Sequence, residues 1–179
     1  MFMTPRDLDD VRTLCASKRY DEALKLCAEF IADQPDPPHG YHMRALVRVI
    51  MGEPHLALAD RDKVVSLCPQ EAGAFVARAD DHLRLGNFAA AADDLDRAEK
   101  LDNAHYWPLI PFLRALCRAR AGRVEEALAD LARVPDDYLL PGFGSAIPNS
   151  KQQLAAAVEE ARLQRQSEPD TGAPEPDAA

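Results

Sequence analysis

The sequence predicts an all-α protein, a solenoid of about four helix-turn-helix units closed by a C-terminal capping helix. Three observations support this fold class. Four short turn segments recur along the chain, and their second residues lie 34, 34 and 36 positions apart. Small residues recur at fixed distances before and after each turn. A last amphipathic segment follows the fourth unit, and a stack of helix pairs needs such a segment to shield its terminal apolar face.

The four turns set a common register for the helices around them. Their second residues are Lys18, Gly52, Gly86 and Gly122. Two antiparallel helices joined by a tight turn approach closely, and a small residue on each helix permits that approach. Seven residues before the turn residues are Val11, Ala45, Ala79 and Ala115, and five residues after them are Ala23, Ala57, Ala91 and Ala127. The register predicts first helices at about 5–16, 38–51, 72–85 and 108–121, and second helices at about 20–33, 54–67, 88–101 and 124–134.

This register resembles the tetratricopeptide repeat (TPR), a helix-turn-helix unit of about 34 residues. The resemblance covers residues 4–134, in units of about 4–37, 38–71, 72–107 and 108–134. It implies a right-handed superhelix in which neighbouring helix pairs share one core. The first unit departs from the pattern at Val11 and Lys18, and the fourth lacks a closing proline.

The resemblance also implies where a partner binds, because in this family the first helices line a concave groove that usually holds the ligand. The lining is mostly apolar, so a hydrophobic or amphipathic protein segment is expected there. The predicted partner-binding residues are His42, Met43, Leu46, Val49, Ile50, Val76, Leu83, Arg84, Phe112, Leu113, Leu116 and Arg120. The same face includes Leu8, Arg12, His39, Ala77, Asp80 and Leu109.

The groove lacks the residues with which some family members bind a peptide terminus. Some family members hold a terminal carboxylate with Lys and Asn on the first helices. The matching positions here are Leu8, Arg12, Met43, Gly73 and Ala77, so an acidic C-terminal peptide is not the expected ligand. The sequence leaves open whether the groove receives another protein, the chain's own C-terminal helix or a second copy of the chain.

Three segments follow the repeats. Residues 135–149 contain three Pro and two Gly but also several apolar residues, which favours a loop packed over the fourth unit. Ser150 and Gln153 have the spacing of a capping box, and a helix is predicted at about 150–166 with Leu154 and Val158 on its apolar face. Residues 167–179 carry four acidic residues, three Pro and no base, and the sequence predicts a disordered tail.

Composition excludes several functions. With 21 basic and 30 acidic residues among 179, the net charge is −9, which argues against nucleic acid and anionic membranes as partners. The sequence shows neither a secretory signal nor an apolar run long enough to cross a membrane. The four cysteines are scattered and are interpreted as apolar core residues, so a reduced, cytoplasmic protein is expected.

No catalytic or cofactor site is predicted. Gly142–Ser145 lacks the third glycine and the preceding strand of a dinucleotide loop. His39 and His42 are spaced as two metal ligands, but no third ligand accompanies them. The acidic clusters at 60–62, 80–81 and 93–96 have Arg61, Arg78 and Arg97 nearby, and are interpreted as a solvated, salt-bridged face.

Three hypotheses of function follow. The first is a non-enzymatic adaptor or scaffold that presents the groove to a protein segment. The second is a small acidic chaperone for a secreted client protein, because chains built from about three such repeats serve bacterial secretion systems and are similar in size and pI. The third is an unrecognised enzyme or metal protein, which a stoichiometric metal would indicate. Self-association through the groove is compatible with the first two hypotheses.

Overall fold

The computed structural model describes residues 5–33, 38–102, 104–140 and 147–167, with side chains from residue 9 onward. These ranges contain nine α-helices. The repeat helices are α1 (Pro5–Ala16), α2 (Tyr20–Asp33), α3 (Pro38–Met51), α4 (Pro54–Leu67), α5 (Ala72–Arg84), α6 (Phe88–Leu101), α7 (Leu109–Arg120) and α8 (Val124–Arg133), and α9 is Lys151–Ser167. The predicted all-α helical-repeat fold is confirmed, and each helix boundary agrees with the predicted one to within a residue.

The turns between paired helices share one backbone geometry. The residues Lys18, Gly52, Gly86 and Gly122 have φ angles of 59, 79, 75 and 76°. This left-handed conformation is easy for glycine, whereas it costs another L-residue about 1–2 kcal/mol. In each turn the next amide donates to a carbonyl in the preceding helix, as in Arg19 N to Leu14 O at 2.8 Å. The first unit therefore keeps the turn geometry although Lys18 replaces the glycine.

The recurring small residues pack where paired helices meet. Ala23, Ala57, Ala91 and Ala127 are completely buried on the second helices. Ala45, Ala79 and Ala115 are buried opposite them on the first helices. A larger side chain at either position would push the two helices apart, which explains why small residues recur there.

The apolar core forms two separate clusters. The smaller contains Val11, Ala23, Cys27, Met43 and Val47 and joins α1, α2 and α3. The larger begins at Ala72 on α5 and extends through α6, α7 and α8 to Val158 on α9. The helix α4 lies between the clusters, and its buried apolar residues Ala57 and Val64 belong to neither.

The C-terminal helix α9 begins at a capping box and covers the fourth unit. The Gln153 amide donates to Ser150 Oγ at 3.3 Å, and the Asn149 amide donates to Gln153 Oε1 at 3.1 Å. The first bond satisfies an amide that the first helical turn leaves free, and the second ties the residue before the cap to the helix. Leu154 and Val158 then enter the larger core cluster. In the contacts between neighbouring repeats, each first helix packs mainly on the second helix of the preceding unit, whereas α9 packs more on α7 than on α8.

The segment between α8 and α9 packs on the fourth unit where it is described. The Tyr138 ring meets Phe112 edge-on at 5.4 Å, and Leu140 is buried in the larger cluster. Leu140 N donates to Asn149 O at 2.7 Å, which ties the two ends of the segment together. Leu139, in contrast, is exposed. Gly142–Ser145 and residues 168–179 of the predicted tail lie outside the described residues.

Candidate partner-binding groove

The open part of the predicted groove lies between α1 and α3. A cleft of about 350 Å³ is lined there by Val11, Arg12, Cys15, Ala16, Met43, Leu46, Val47 and Ile50. Met43 is buried on its floor, and Val49 is half-buried nearby. Leu46 and Ile50 remain 38% and 54% exposed, although both are large apolar residues. The cleft thus presents apolar surface that no described part of the chain covers.

The fourth unit offers no such surface. Phe112, Leu113 and Leu116 were predicted to contact a partner, but each is at least 98% buried. They belong to the same apolar cluster as Leu154 and Val158 of α9. The helix that caps the stack therefore covers the groove face of α7, because it packs across this helix instead of continuing the stack. This part of the groove is filled by the chain itself, one of the alternatives that the sequence left open.

The remaining predicted groove residues lie on α5 and at the end of α7. Val76 and Leu83 are half-buried and pack against the larger cluster. Arg84 and Arg120 are exposed. Leu8 lies outside the described side chains. The accessible groove is therefore apolar on α3 and carries arginine at the ends of α5 and α7.

His42 takes part in a buried charged group. The Arg61 Nη1 donates to His42 Nδ1 at 2.6 Å, and the Arg61 Nε donates to Asp81 Oδ2 at 3.1 Å. Burial and the nearby guanidinium lower the pKa of His42 to about 4, while burial raises the pKa of Asp81. The nitrogen of His42 that faces Arg61 is occupied as an acceptor, because arginine only donates. His42 is therefore engaged by Arg61 within the second unit, while Arg61 also bonds Asp81 of the third unit, and His42 is a poor candidate for a partner contact or a metal ligand.

A ladder of arginine–aspartate pairs connects the two helices of each of the last three units. Arg44 donates to Asp60, Arg78 to Asp94 and Arg114 to Asp130, always across 16 residues. The shortest contacts are 2.7, 2.6 and 2.6 Å, and each arginine donates to its aspartate from both Nε and Nη2. Such paired bonds fix orientation as well as distance.

The ladder also connects neighbouring units. Arg78 donates to Asp62 of the preceding unit at 2.9 Å, and Arg114 donates to Asp96 at 2.8 Å. Asp60, Asp81 and Asp94 are buried, so the interpretation of the acidic clusters as a solvated face is wrong for these residues. Asp62 and Asp93 do lie on the surface. The signal for the ladder was present in the sequence as arginine and aspartate at fixed repeat positions.

The cysteines are unpaired. Cys27 and Cys117 are buried in the two apolar clusters, and burial raises the pKa of their thiols to about 11 and about 12. Both are therefore protonated near neutral pH and unreactive as nucleophiles.

Over the described ranges there is no group of three or more His, Cys, Asp or Glu placed to hold a metal ion. Nor does any described helix combine the length and apolar character needed to cross a bilayer.

Solved structures share this arrangement of helices. A crystal structure of MamA is 15% identical and aligns with a TM-score of 0.64 over 93% of this chain and 97% of MamA. YrrB, a TPR protein, is 18% identical with a TM-score of 0.60 over 71% of this chain and 64% of its own. A thermophilic TPR protein of Thermus thermophilus, TTC0263, is 20% identical with a TM-score of 0.58, over 89% of this chain and 81% of its own.

No family model and no curated protein matches the sequence. At identities of 15–20%, the similarity to solved structures establishes the fold alone. Together with the left-handed turns and the buried alanines at the helix crossings, they show that the described chain has the tetratricopeptide-repeat fold.

Proposed function

We propose that this protein is a non-enzymatic interaction module that binds an apolar or amphipathic segment of another protein in the cleft between α1 and α3. The observation that carries the proposal is the exposure of Leu46 and Ile50 above the buried Met43. Large apolar side chains grouped at a concave surface are typical of protein-binding grooves. Met43 adds an adaptable side chain to the floor of the cleft. YrrB, which has the same fold, is a TPR protein with an unusual peptide-binding site.

This proposal narrows the predicted site. Leu46, Val49 and Ile50 are the partner contacts, and Val76 and Leu83 continue the surface onto α5. Phe112, Leu113 and Leu116 are left out because α9 covers them.

The test is capture of proteins from a lysate of the source organism, followed by mass spectrometry. The variant Leu46→Asp/Ile50→Asp introduces charge where both side chains are exposed, so it should keep the fold and lose a partner that the wild type retains. The matched control is Leu56→Asp/Leu139→Asp, because these leucines are 49% and 68% exposed but lie away from the cleft. Circular dichroism checks that both variants keep their helicity.

Equal recovery of the partner by wild type and the cleft variant would show that the cleft is not the binding site. The identity of the partner also separates two roles. A protein that aggregates without this chain indicates the chaperone alternative, whereas a partner that is stable alone indicates an adaptor.

A further inference from the structure

We propose that the segment bound in the groove carries internal acidic residues beyond its apolar residues. Its apolar part contacts Leu46 and Ile50, and its carboxylates contact Arg84 and Arg120. This inference rests on the proposed function, which supplies the apolar half of the site. The partner is therefore an amphipathic protein segment with Asp or Glu side chains, and it does not depend on a free C-terminal carboxylate.

The repeat register places the two halves of the site on one path. Ile50, Arg84 and Arg120 each lie two residues before the turn glycine of their unit, at the ends of α3, α5 and α7. Equivalent positions in stacked repeats follow one another along the same face. The accessible groove therefore changes from apolar to cationic from the second unit to the fourth.

The charge of these two arginines is available to a partner. The only contact described for the Arg84 guanidinium runs from Nε to Asp80 Oδ2, at 3.0 Å, and its two terminal nitrogens point to no described acceptor. Arg120 makes no ion pair or hydrogen bond within the described ranges. Arg44, Arg78 and Arg114 differ, because their guanidinium groups are held by the buried aspartates of the ladder. Asp80 neutralises part of the Arg84 charge, so Arg120 is the stronger of the two contacts.

A third guanidinium lies at the same end of the groove. Arg165 of α9 donates from Nη1 to Gly122 O at 3.1 Å, in the turn that directly follows Arg120. The chain as a whole has a net charge of −9, so this cationic end is opposite in sign to the rest of the molecule. Charge complementarity of this kind selects partners and orients them more than it adds affinity. An acidic segment is attracted here and repelled from other surfaces of the chain.

The spacing of the repeats sets the pattern expected in the partner. The first helices of neighbouring units make few direct contacts, so they lie farther apart than the roughly 8–10 Å of packed helices. An extended chain advances about 3.3–3.6 Å per residue, so one repeat corresponds to at least about three residues of an extended segment. We expect acidic residues at least about three and about six positions beyond the apolar residue that contacts Ile50.

The experiment is selection of random 12-residue peptides displayed on phage against the immobilised full chain. The wild type should select peptides with large apolar residues and, toward one end, Asp or Glu. The variant Arg84→Glu/Arg120→Glu should select Lys or Arg at those positions and keep the apolar preference. The control Lys25→Glu/Lys100→Glu changes the net charge by the same amount as Arg84→Glu/Arg120→Glu, at exposed positions on the second helices α2 and α6. It should select the same peptides as the wild type.

A selected peptide is then synthesised and its binding is measured by fluorescence anisotropy. We expect the affinity to fall on the order of tenfold in Arg84→Glu/Arg120→Glu, and the loss to shrink at high salt. Selection of apolar peptides without an acidic preference, or an unchanged preference in the charge-reversed variant, would overturn the proposal and leave the proposed function standing. Peptides that bind Leu46→Asp/Ile50→Asp as well as the wild type would overturn the proposed function itself.

Two other occupants of the groove give distinct results. If a variant lacking residues 168–179 selects acidic peptides but the full chain does not, the chain's own acidic residues occupy the cationic end and the proposal of an external partner is wrong. If the full chain forms a dimer by light scattering and Leu46→Asp/Ile50→Asp does not, a second copy occupies the cleft, which equally contradicts it.

Discussion

At the scale of single residues, the most distinctive feature is the use of buried charge within helix pairs. Asp130 accepts bonds from Arg114 at 2.6 and 2.9 Å and from Arg118 at 2.7 Å. Arg114 is itself buried and also reaches Asp96 and Glu99. Burial lowers the pKa of Arg114, but its hydrogen bonds to Asp130 and Glu99 outweigh burial and hold that pKa above its usual range. Removing two charges from water costs free energy, and the attraction between the buried partners has to compensate for that cost. The loss of one member therefore leaves the others without compensation.

We predict that Asp130→Ala lowers the free energy of unfolding by about 3 kcal/mol, because two guanidinium groups lose their shared buried acceptor. Urea unfolding followed by circular dichroism measures the change. The control is Glu22→Ala, which removes the acceptor of an exposed pair with Arg19 and should change stability little. Similar losses in the two variants would mean that burial of the ladder does not matter to its strength.

At the scale of helices, α9 explains both the closure of the stack and the extent of the free groove. Its apolar residues Leu154 and Val158 lie in the same buried cluster as Phe112 and Leu116 of α7, the helix on which α9 packs most. A capping helix that only continued the stack would have left these residues facing the groove. The position of α9 therefore decides how much of the first-helix face can meet a partner.

We predict that Leu154→Ala lowers the free energy of unfolding by about 2–4 kcal/mol, because Leu154 is completely buried and the change leaves a cavity. Leu163→Ala on the same helix is the control, since Leu163 is 58% exposed, and it should change the free energy by less than about 0.5 kcal/mol. Thermal and urea unfolding test both variants. An effect of Leu154→Ala no larger than the control would show that α9 is not firmly docked.

Helices and turns could be predicted from the sequence because the repeat positions encode local geometry. The glycine turns and the alanines at the crossings recur at fixed spacing, and each spacing has one structural meaning. The position of α9 could not be predicted, because Leu154 and Val158 show only that one face is buried, and a stacked or a folded-over helix buries it equally well. Asp60 and Arg61 were misjudged because charge alone suggests a surface, and only their partners on other helices make burial possible.

At the scale of the whole molecule, a charged junction divides the apolar core. Arg61 occupies the repeat position that holds Cys27 in the first unit, Leu95 in the third and Leu131 in the fourth. Its pairing with Asp81 and His42 lies where the smaller cluster ends and the larger begins. In a repeat protein, stability is about the sum of the units and of the interfaces between them. Charged pairs, and not a shared apolar cluster, join the two halves at this point, so we expect weaker coupling here than across the apolar interfaces.

The first unit is weaker for a second reason. The repeat position that holds the ladder arginine in later units holds Asp10 in the first unit. The positions of the two ladder aspartates hold Leu26 and Ala28. It therefore lacks the paired bonds that tie the helices together from the second unit onward. Among the described residues, the cluster that it shares with α3 holds 5 buried residues, whereas the cluster around α5–α9 holds 19.

We predict that amide hydrogens in α1 and α2 exchange through openings of lower free energy than those in α6 and α7, because fewer buried contacts hold the first unit. Native-state hydrogen exchange followed by mass spectrometry measures this difference.

The variant Arg61→Leu/Asp81→Leu replaces the charged junction with apolar side chains, and a buried pair replaced in this way often leaves stability unchanged or higher. This double variant should bring the opening free energies of α1 and α2 closer to those of α6 and α7, because it joins the two apolar clusters. The single variant Arg61→Leu should widen this difference, because Asp81 then stays buried without its cation. Uniform exchange across all units in the wild type would show that the two halves open together despite the polar junction.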